Sequence, residues 1–228
     1  MFRSFLRVVK NNLHCKDWRN ARLCSMAEKQ TSADKDDYHH GNLRVELLRV
    51  ARDMLEAEGI NALKLRAITR QAGVSAMAAT PHFGNLRGLL TALATQGFEE
   101  LACSLREGNG RSVKDAGLAY VLFAVRNPGL FTLMFRGDAI NRQDAAFTHA
   151  AQQSFGLLGQ LLAQTEPPKT HKSDVGGAVG QAALWAKVHG LAVLAIDGLL
   201  APLVAQSGFA DHQEAFLAQA LDAMVGPV

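Results

Sequence analysis

Residues Leu65 to Leu90 read LRAITRQAGVSAMAATPHFGNLRGLL, and no other stretch constrains the fold of this chain as tightly. Leu65, Ile68 and Ala72 stand three and four apart, which puts them on one helical face. That segment stops at Ala72-Gly73-Val74, where glycine can supply the left-handed residue of a tight turn. Ser75 can cap a second short helix through its hydroxyl, and a further helix opens at Leu86 behind Phe83-Gly84, with Asn85 as its cap. Two short helices joined by a glycine turn are the sequence form of a helix-turn-helix, which lays its second helix in the major groove of DNA.

The flanks continue in helical period. Leu43, Leu47, Val50, Ala51, Met54 and Leu55 form one apolar stripe, predicting a helix from about Asn42, as N-cap, to Glu58, stopped by Gly59. The helix that opens at Leu86 runs to about Arg106, and Gly108 to Ser112 forms a break. Beyond it the pattern predicts helices over Val113–Arg126, Leu130–Phe135, about Asn141–Gln164, about Asp174–Val204 and Phe209–Val225, with an exposed loop over Thr165–Ser173. No hairpin signal appears. The expected fold class is all-α: an amino-terminal extension over 1–37, a helix-turn-helix domain over 38–90 and a second helical domain over 91–228.

Charge is distributed unevenly over the 228 residues. Residues 1–25 carry +5, residues 26–37 carry −2, residues 38–90 carry +3 and residues 91–228 carry −3. A basic amino-terminal part on a mildly acidic body suits a chain that meets nucleic acid at one end. Residues 1–25 lack the continuous apolar core of a secretory signal, because Arg7 splits Phe5-Leu6 from Val8-Val9. Met26 is the expected biological start; a basic arm tracking phosphates and an amphipathic targeting peptide are the alternatives. Cys15, Cys24 and Cys103 form no CxxC pair, so neither a disulfide framework nor a zinc site is indicated, and the expected location is the reducing cytoplasm. The longest apolar tract, Leu191 to Ala205, is interrupted by Asp197 and Pro202, is too short to span a bilayer and reads as a buried helix, with no membrane partner.

The motifs over Tyr38 to about Leu93, in the pattern HHGNLR…A…L…EG…L…LR.I….AGVS……..HF.N…LL, resemble the TetR/AcrR family of bacterial transcriptional regulators. The segment Arg126-Asn127-Pro128-Gly129-Leu130-Phe131 with Leu133-Met134-Phe135, together with Trp185, His189 and Gly190, is similar to the carboxy-terminal ligand-binding domain of that family named for a Trp, a His and a Gly. The resemblance implies a homodimer joined through its last two helices, double-stranded DNA with a palindromic operator as partner, and a small-molecule ligand. It implies a repressor released from DNA when the ligand alters the separation of two reading heads, whose half-sites lie about 34 Å apart.

Carried onto this chain, the DNA-binding residues are Arg66, Ser75, Ala76, Met77, Ala79, Thr80, His82 and Arg87. Arg66 sits at the amino end of the second helix, where a guanidinium reaches phosphate, with a solvated face as the alternative; His82 suits a packed or exposed histidine as well as a phosphate donor. Thr80 stands where the family usually has Tyr, Pro81 where it usually has a polar residue, and Leu86 where it usually has Lys, with Arg87 adjacent. Ala76, Met77, Ala78 and Ala79 can touch thymine methyls but cannot read a purine edge bidentately, and each missing bidentate pair forfeits about 1–3 kcal/mol of discrimination. DNA binding of modest specificity is therefore expected; a helical small-molecule-binding protein of the same fold that has lost specific reading is the alternative. The candidate ligand pocket comprises Phe123, Phe131, Met134, Phe135, Phe155, Trp185 and His189, and its few charges favour an apolar or aromatic ligand. The rival reading there is a Trp packed against a hydrogen-bonded His. No catalytic set, metal site or cofactor is indicated: His39-His40 lacks spaced partners, and the glycines of Gly176–Gly180 follow no strand.

Overall fold

The computed structural model describes residues 37–107, 112–165, 174–209 and 212–225. Expectations for residues 1–36, for Gly108–Arg111 and for residues 166–173 lie outside the described residues, as do the side chains of His39 and His40. The chain divides into two compact units, Met1–Leu43 and Arg44–Val228, and the packing below belongs to the second. Its helices are α1 (Asp37–Glu58), α2 (Leu65–Gln71), α3 (Thr80–Phe83), α4 (Leu86–Glu107), α5 (Val113–Arg126), α6 (Pro128–Phe135), α7 (Ala145–Thr165), α8 (Asp174–Ile196), α9 (Ala201–Gln206) and α10 (Gln213–Val225), with no strand among the described residues.

Local chemistry fixes most ends. The α2 terminus is a Schellman motif: Val74 N–H donates to the Thr69 carbonyl at 2.9 Å and Gly73 N–H to Arg70 at 3.1 Å, with Gly73 at φ 74°. Asn85 caps α4 by accepting from Gly88 N–H at 3.0 Å, and Ser112 caps α5 by accepting from Asp115 N–H at 3.1 Å. Pro128 opens α6 in its first turn, where a missing N–H costs nothing.

Several expectations are corrected. Asn42 does not cap α1, which begins at Asp37 and carries Gly41 inside it. Ser75 makes no side-chain cap bond. The seventh helix starts at Ala145 rather than Asn141, because Asn141 forms a local turn (Gln143 N–H to Asn141 Oδ1, 3.1 Å) and Asp144 takes over as cap (Phe147 N–H to Asp144 Oδ1, 3.0 Å). The helix predicted to run unbroken from Asp174 to Val204 ends at Ile196; Gly198 turns at φ 71° and Pro202 restarts the helix in α9. The last helix begins at Gln213, after a turn in which His212 N–H donates to Phe209.

In the body, α4 packs along α7 and against α5 and α6, while α5 packs along α8 and α10. Leu93, Phe98, Leu101 and Leu105 from α4, Tyr120 and Val121 from α5, Leu130, Phe131 and Leu133 from α6, and Val188 from α8 fill the interior with Leu217 and Leu221 of α10. The Leu191–Ala205 tract is not the buried helix its composition suggests. Val193, Leu194, Leu199 and Leu203 are exposed, as is Val179 further up α8. Residues 177–196 of α8 are long and apolar enough to cross a bilayer, but so is many a core or interface helix.

Candidate nucleic-acid interface and aromatic site

The segment after the Gly73 turn is not one regular helix. Ala76–Ala79 is a 3-10 turn that passes into the single α-turn Thr80–Phe83. Proline is the cause: without an N–H, Pro81 cannot bond back to the Met77 carbonyl, which accepts instead from Thr80 N–H in the tighter i to i+3 pattern. The segment ends at Gly84, and it meets α4 closely, since a Cβ at Gly88 would overlap the Phe83 carbonyl oxygen.

This geometry sorts the predicted DNA residues. Ser75, Met77 and Thr80 are exposed, with Pro81 beside them, and Met77 is the barest large apolar side chain described, at 75%. Ala76 and His82 are half-buried. Ala79 is fully buried, so the expectation that it touches DNA is corrected: its methyl is turned away from solvent. Arg66 is exposed on α2. Arg87 is exposed, but its Nη2 donates to the Ile140 carbonyl at 2.9 Å, which commits part of the guanidinium to the body. Ile68 is buried in the core, and Ala72, Val74 and Phe83 are half-buried. Arg44 was missed by the sequence reading. Its guanidinium lies 4.8 Å over the Phe83 ring, and the residue is exposed beside the recognition segment.

Five of the seven pocket candidates come together in one aromatic cluster. Phe131 and Phe135 of α6 stand 5.0 Å apart between ring centroids; His189 lies 5.4 and 4.6 Å from them, and Trp185 lies 5.6 Å from His189 and 5.0 Å from Phe155 of α7. The other two candidates point elsewhere. Met134 packs its thioether against Gly97 of α4, and Phe123 is buried on α5 outside these ring contacts. A recess among the described residues lies away from the rings. It is a polar hollow of ≈ 400 Å³ between the end of α1 and α2, lined by Met54, Glu58, Asn61, Lys64, Arg70 and Gln71 among others.

Two residues central to the cluster were missed. Phe98 of α4 packs edge-on against Phe135 and Phe147. Tyr120 of α5, only 1% exposed, holds the polar centre: its hydroxyl lies 3.0 Å from His189 Nδ1 and accepts from Trp185 Nε1 at 3.3 Å. While accepting from Trp185, the Tyr120 hydroxyl can also donate to Nδ1, an arrangement that suits a neutral His189 ring protonated on Nε2. Burial reinforces this by lowering the His189 pKa, and burial likewise raises that of Tyr120 well above the usual phenol range. One signal was available: a tyrosine inside the apolar run Leu118–Val125 needs a buried hydrogen-bond partner.

Helix α6 ties this cluster to the amino-terminal helices at both ends. Glu56 of α1 accepts from the first free N–H groups of α6, Gly129 at 3.0 Å and Leu130 at 2.9 Å. Arg52 sits beside it, donating to Asn127 Oδ1 at 2.8 Å and pairing with Glu100 at 3.2 Å. Past the other end of α6, Arg87 holds the Ile140 carbonyl, and Thr91 Oγ1 accepts from Asn141 N–H at 2.9 Å.

Among the described residues no group of His, Cys, Asp and Glu could hold a metal. Residues 47–93 match the family described as bacterial regulatory proteins of the tetR family, and residues 113–224 match the family described as tetracyclin repressor-like, C-terminal domain. Of the curated proteins, none matches the sequence. Among solved structures, a protein of unknown function from Rhodococcus sp. RHA1 is 26% identical, with 83% of this chain and 97% of that one covered and a TM-score of 0.63. A protein described as regulatory, SCO4313, shares the fold at 19% identity, over 85% of this chain and 100% of its own, with a TM-score of 0.65. The two family matches follow one another in order and take in well over half of the sequence; the chain belongs to the TetR family of transcriptional regulators.

Proposed function

We propose that the protein is a ligand-responsive, dimeric DNA-binding regulator of the cytoplasm, acting as a repressor that a small apolar or aromatic molecule releases from a palindromic operator. The observation that carries this reading is the double tethering of α6. Its middle presents Phe131 and Phe135 to the aromatic cluster, while Glu56 holds its start and Arg87 and Thr91 hold the loop beyond its end. A ligand inserting among the rings must move α6. Any such move strains bonds to α1 and α4, the helices on which the recognition segment is mounted, so differential ligand affinity becomes a change in head position.

The bare apolar residues Val179, Val193 and Leu194 of α8, with Leu199 and Leu203 just after it, support dimerisation in which α8 takes part. Ser75, Ala76, Met77 and Thr80 meet the bases, and Arg66 meets phosphate. The few charges among the rings favour a ligand with little net charge, bonded to Tyr120 or His189 if it carries a polar group.

The test is fluorescence anisotropy of the purified chain on DNA from its own upstream region against a scrambled duplex at about physiological salt, where specific sites typically bind at least about a thousandfold tighter. Preference for the upstream DNA, reversed by aromatic compounds that also quench Trp185, is the expected result. Weak and equal binding to every sequence, with aromatic compounds still quenching Trp185, would replace the regulator by a small-molecule-binding protein of the same fold.

A further inference from the structure

The recognition segment exposes an unusual chemistry for a DNA reader. From Ser75 to Pro81 it contains no amide, guanidinium or carboxylate side chain. Its exposed residues are Ser75, Met77, Thr80 and Pro81, so the outward face offers two hydroxyls and an apolar surface. The 3-10 register suits the prominence of Met77: Ala79 is buried, Ala76 three residues before it is half-buried, and the thioether between them stands out at 75% exposure. Alanines around it let the backbone approach closely. Exposed cations on the same helical triplet, Arg44, Lys64, Arg66 and Arg70, fit an anionic duplex rather than an apolar protein surface.

In the major groove the apolar feature at base edges is the C5-methyl group of thymine. Resting on the reading of the protein as a DNA-binding regulator, we propose that its specificity is set by C5-methyl groups of pyrimidines, with Met77 as the side chain that contacts them. Half-sites are then thymine-bearing at the Met77 position, and 5-methylcytosine is accepted there in preference to cytosine because it carries the same methyl. Ser75 and Thr80 supply hydroxyl contacts that either a donor or an acceptor on the base can meet, so they add affinity without fixing the base.

The experiment begins with selection of binding sites from a random duplex library by the full-length chain. A consensus with repeated half-sites establishes that the protein reads sequence; enrichment of nothing overturns the regulator reading itself and this proposal with it. The consensus duplex is then made with deoxyuridine in place of thymidine, which removes only the methyl. The expected loss is about fourfold per contacted methyl, the equivalent of burying one methylene-sized group, and about fifteenfold when both half-sites are changed. With cytosine and 5-methylcytosine placed at the same position, the methylated base binds about fourfold tighter. Met77→Ala removes both differences and Met77→Leu, which keeps an apolar tip, retains them; melting temperatures of the two variants match the parent, because the side chain is exposed. A clear consensus bound equally well with thymine and uracil overturns the proposal, as does a uracil penalty that survives in Met77→Ala, or equal affinity for cytosine and its methylated form.

Discussion

The recognition segment and the aromatic cluster handle side chains in opposite ways. Around Ser75–Phe83 the chain is short, wound partly as 3-10 helix, and leaves its largest apolar side chain in solvent. Around Tyr120 the chain closes rings from five helices over a polar centre in which the Tyr120 hydroxyl meets both Trp185 Nε1 and His189 Nδ1. The first is a surface whose energy becomes available when DNA arrives. The second is an interior that a ligand must displace, so its occupancy competes with the protein's own packing. A regulator needs both, joined by something stiff, and α6 with its bonds to Glu56 and Arg87 is that element.

The sharpest way to break the contrast is to dislodge the head while leaving the cluster alone. Gly88→Ala does so, because the new Cβ would overlap the Phe83 carbonyl, a backbone atom that cannot rotate away. The recognition segment must then move relative to α4, at an overpacking cost of about 1–3 kcal/mol. DNA affinity for the preferred duplex is expected to fall by about fifteenfold or more, since methyl contacts worth about fourfold each are lost in both half-sites. Trp185 fluorescence and ligand binding stay unchanged. An unaltered DNA affinity would show that the tight approach of Gly88 to Phe83 does not position the head.

The converse perturbation is Tyr120→Phe. It removes one oxygen and strands Trp185 Nε1 and His189 Nδ1 together. The expected destabilisation is about 1–3 kcal/mol, the cost of leaving buried polar groups unpaired, with DNA affinity in the absence of ligand little changed. Acidity sharpens the same point. Burial lowers the His189 pKa from its usual value of 6.5, so above that value the folded and unfolded states bind the same number of protons at this ring. As pH falls below it, the unfolded state takes up a proton first, and stability is lost down to the folded pKa. Melting temperature measured from neutral pH downward should therefore fall more steeply in the parent than in His189→Gln. Parallel curves would mean that the ring is not desolvated.

The two regions also differ in how far they could be read beforehand. The head is local: one Schellman turn at Gly73, a cap at Asn85 and a 3.6-residue period lie within thirty residues, so helix types and order were legible. What escaped notice there was the consequence of Pro81, whose missing N–H winds the preceding turn as 3-10 and turns Ala79 inward. The cluster is non-local. Phe131, Phe135, Trp185 and His189 were legible as candidates, yet Phe98 and Tyr120 join them only because α4 and α5 cross α6 and α8, and no period within one helix reports such crossings. Nor could composition alone separate a buried apolar helix from an exposed apolar face, which is why Leu194, Leu199 and Leu203 were placed inside.

Arg66 and Arg87 bring the comparison down to single charges of one type. The pattern points both to DNA, Arg66 to phosphate and Arg87 in place of the usual Lys, and both are exposed. Arg87, however, donates one amino group to the Ile140 carbonyl and so belongs to the joint between α4 and the loop after α6. Arg66 stands on α2, on the head. Replacing each by alanine should separate a DNA contact from a tether. For Arg66→Ala, the slope of log affinity against log salt should drop by about one for each half-site, uniformly across DNA sequences, with no change in melting temperature. For Arg87→Ala, the salt slope should change less, while the melting temperature falls and ligand-driven release of DNA weakens, because one of the bonds that carry α6 movement to α4 is gone. If the two variants instead show the same salt slope and the same stability, Arg87 is a phosphate contact like its neighbour, and its bond to Ile140 contributes nothing to coupling.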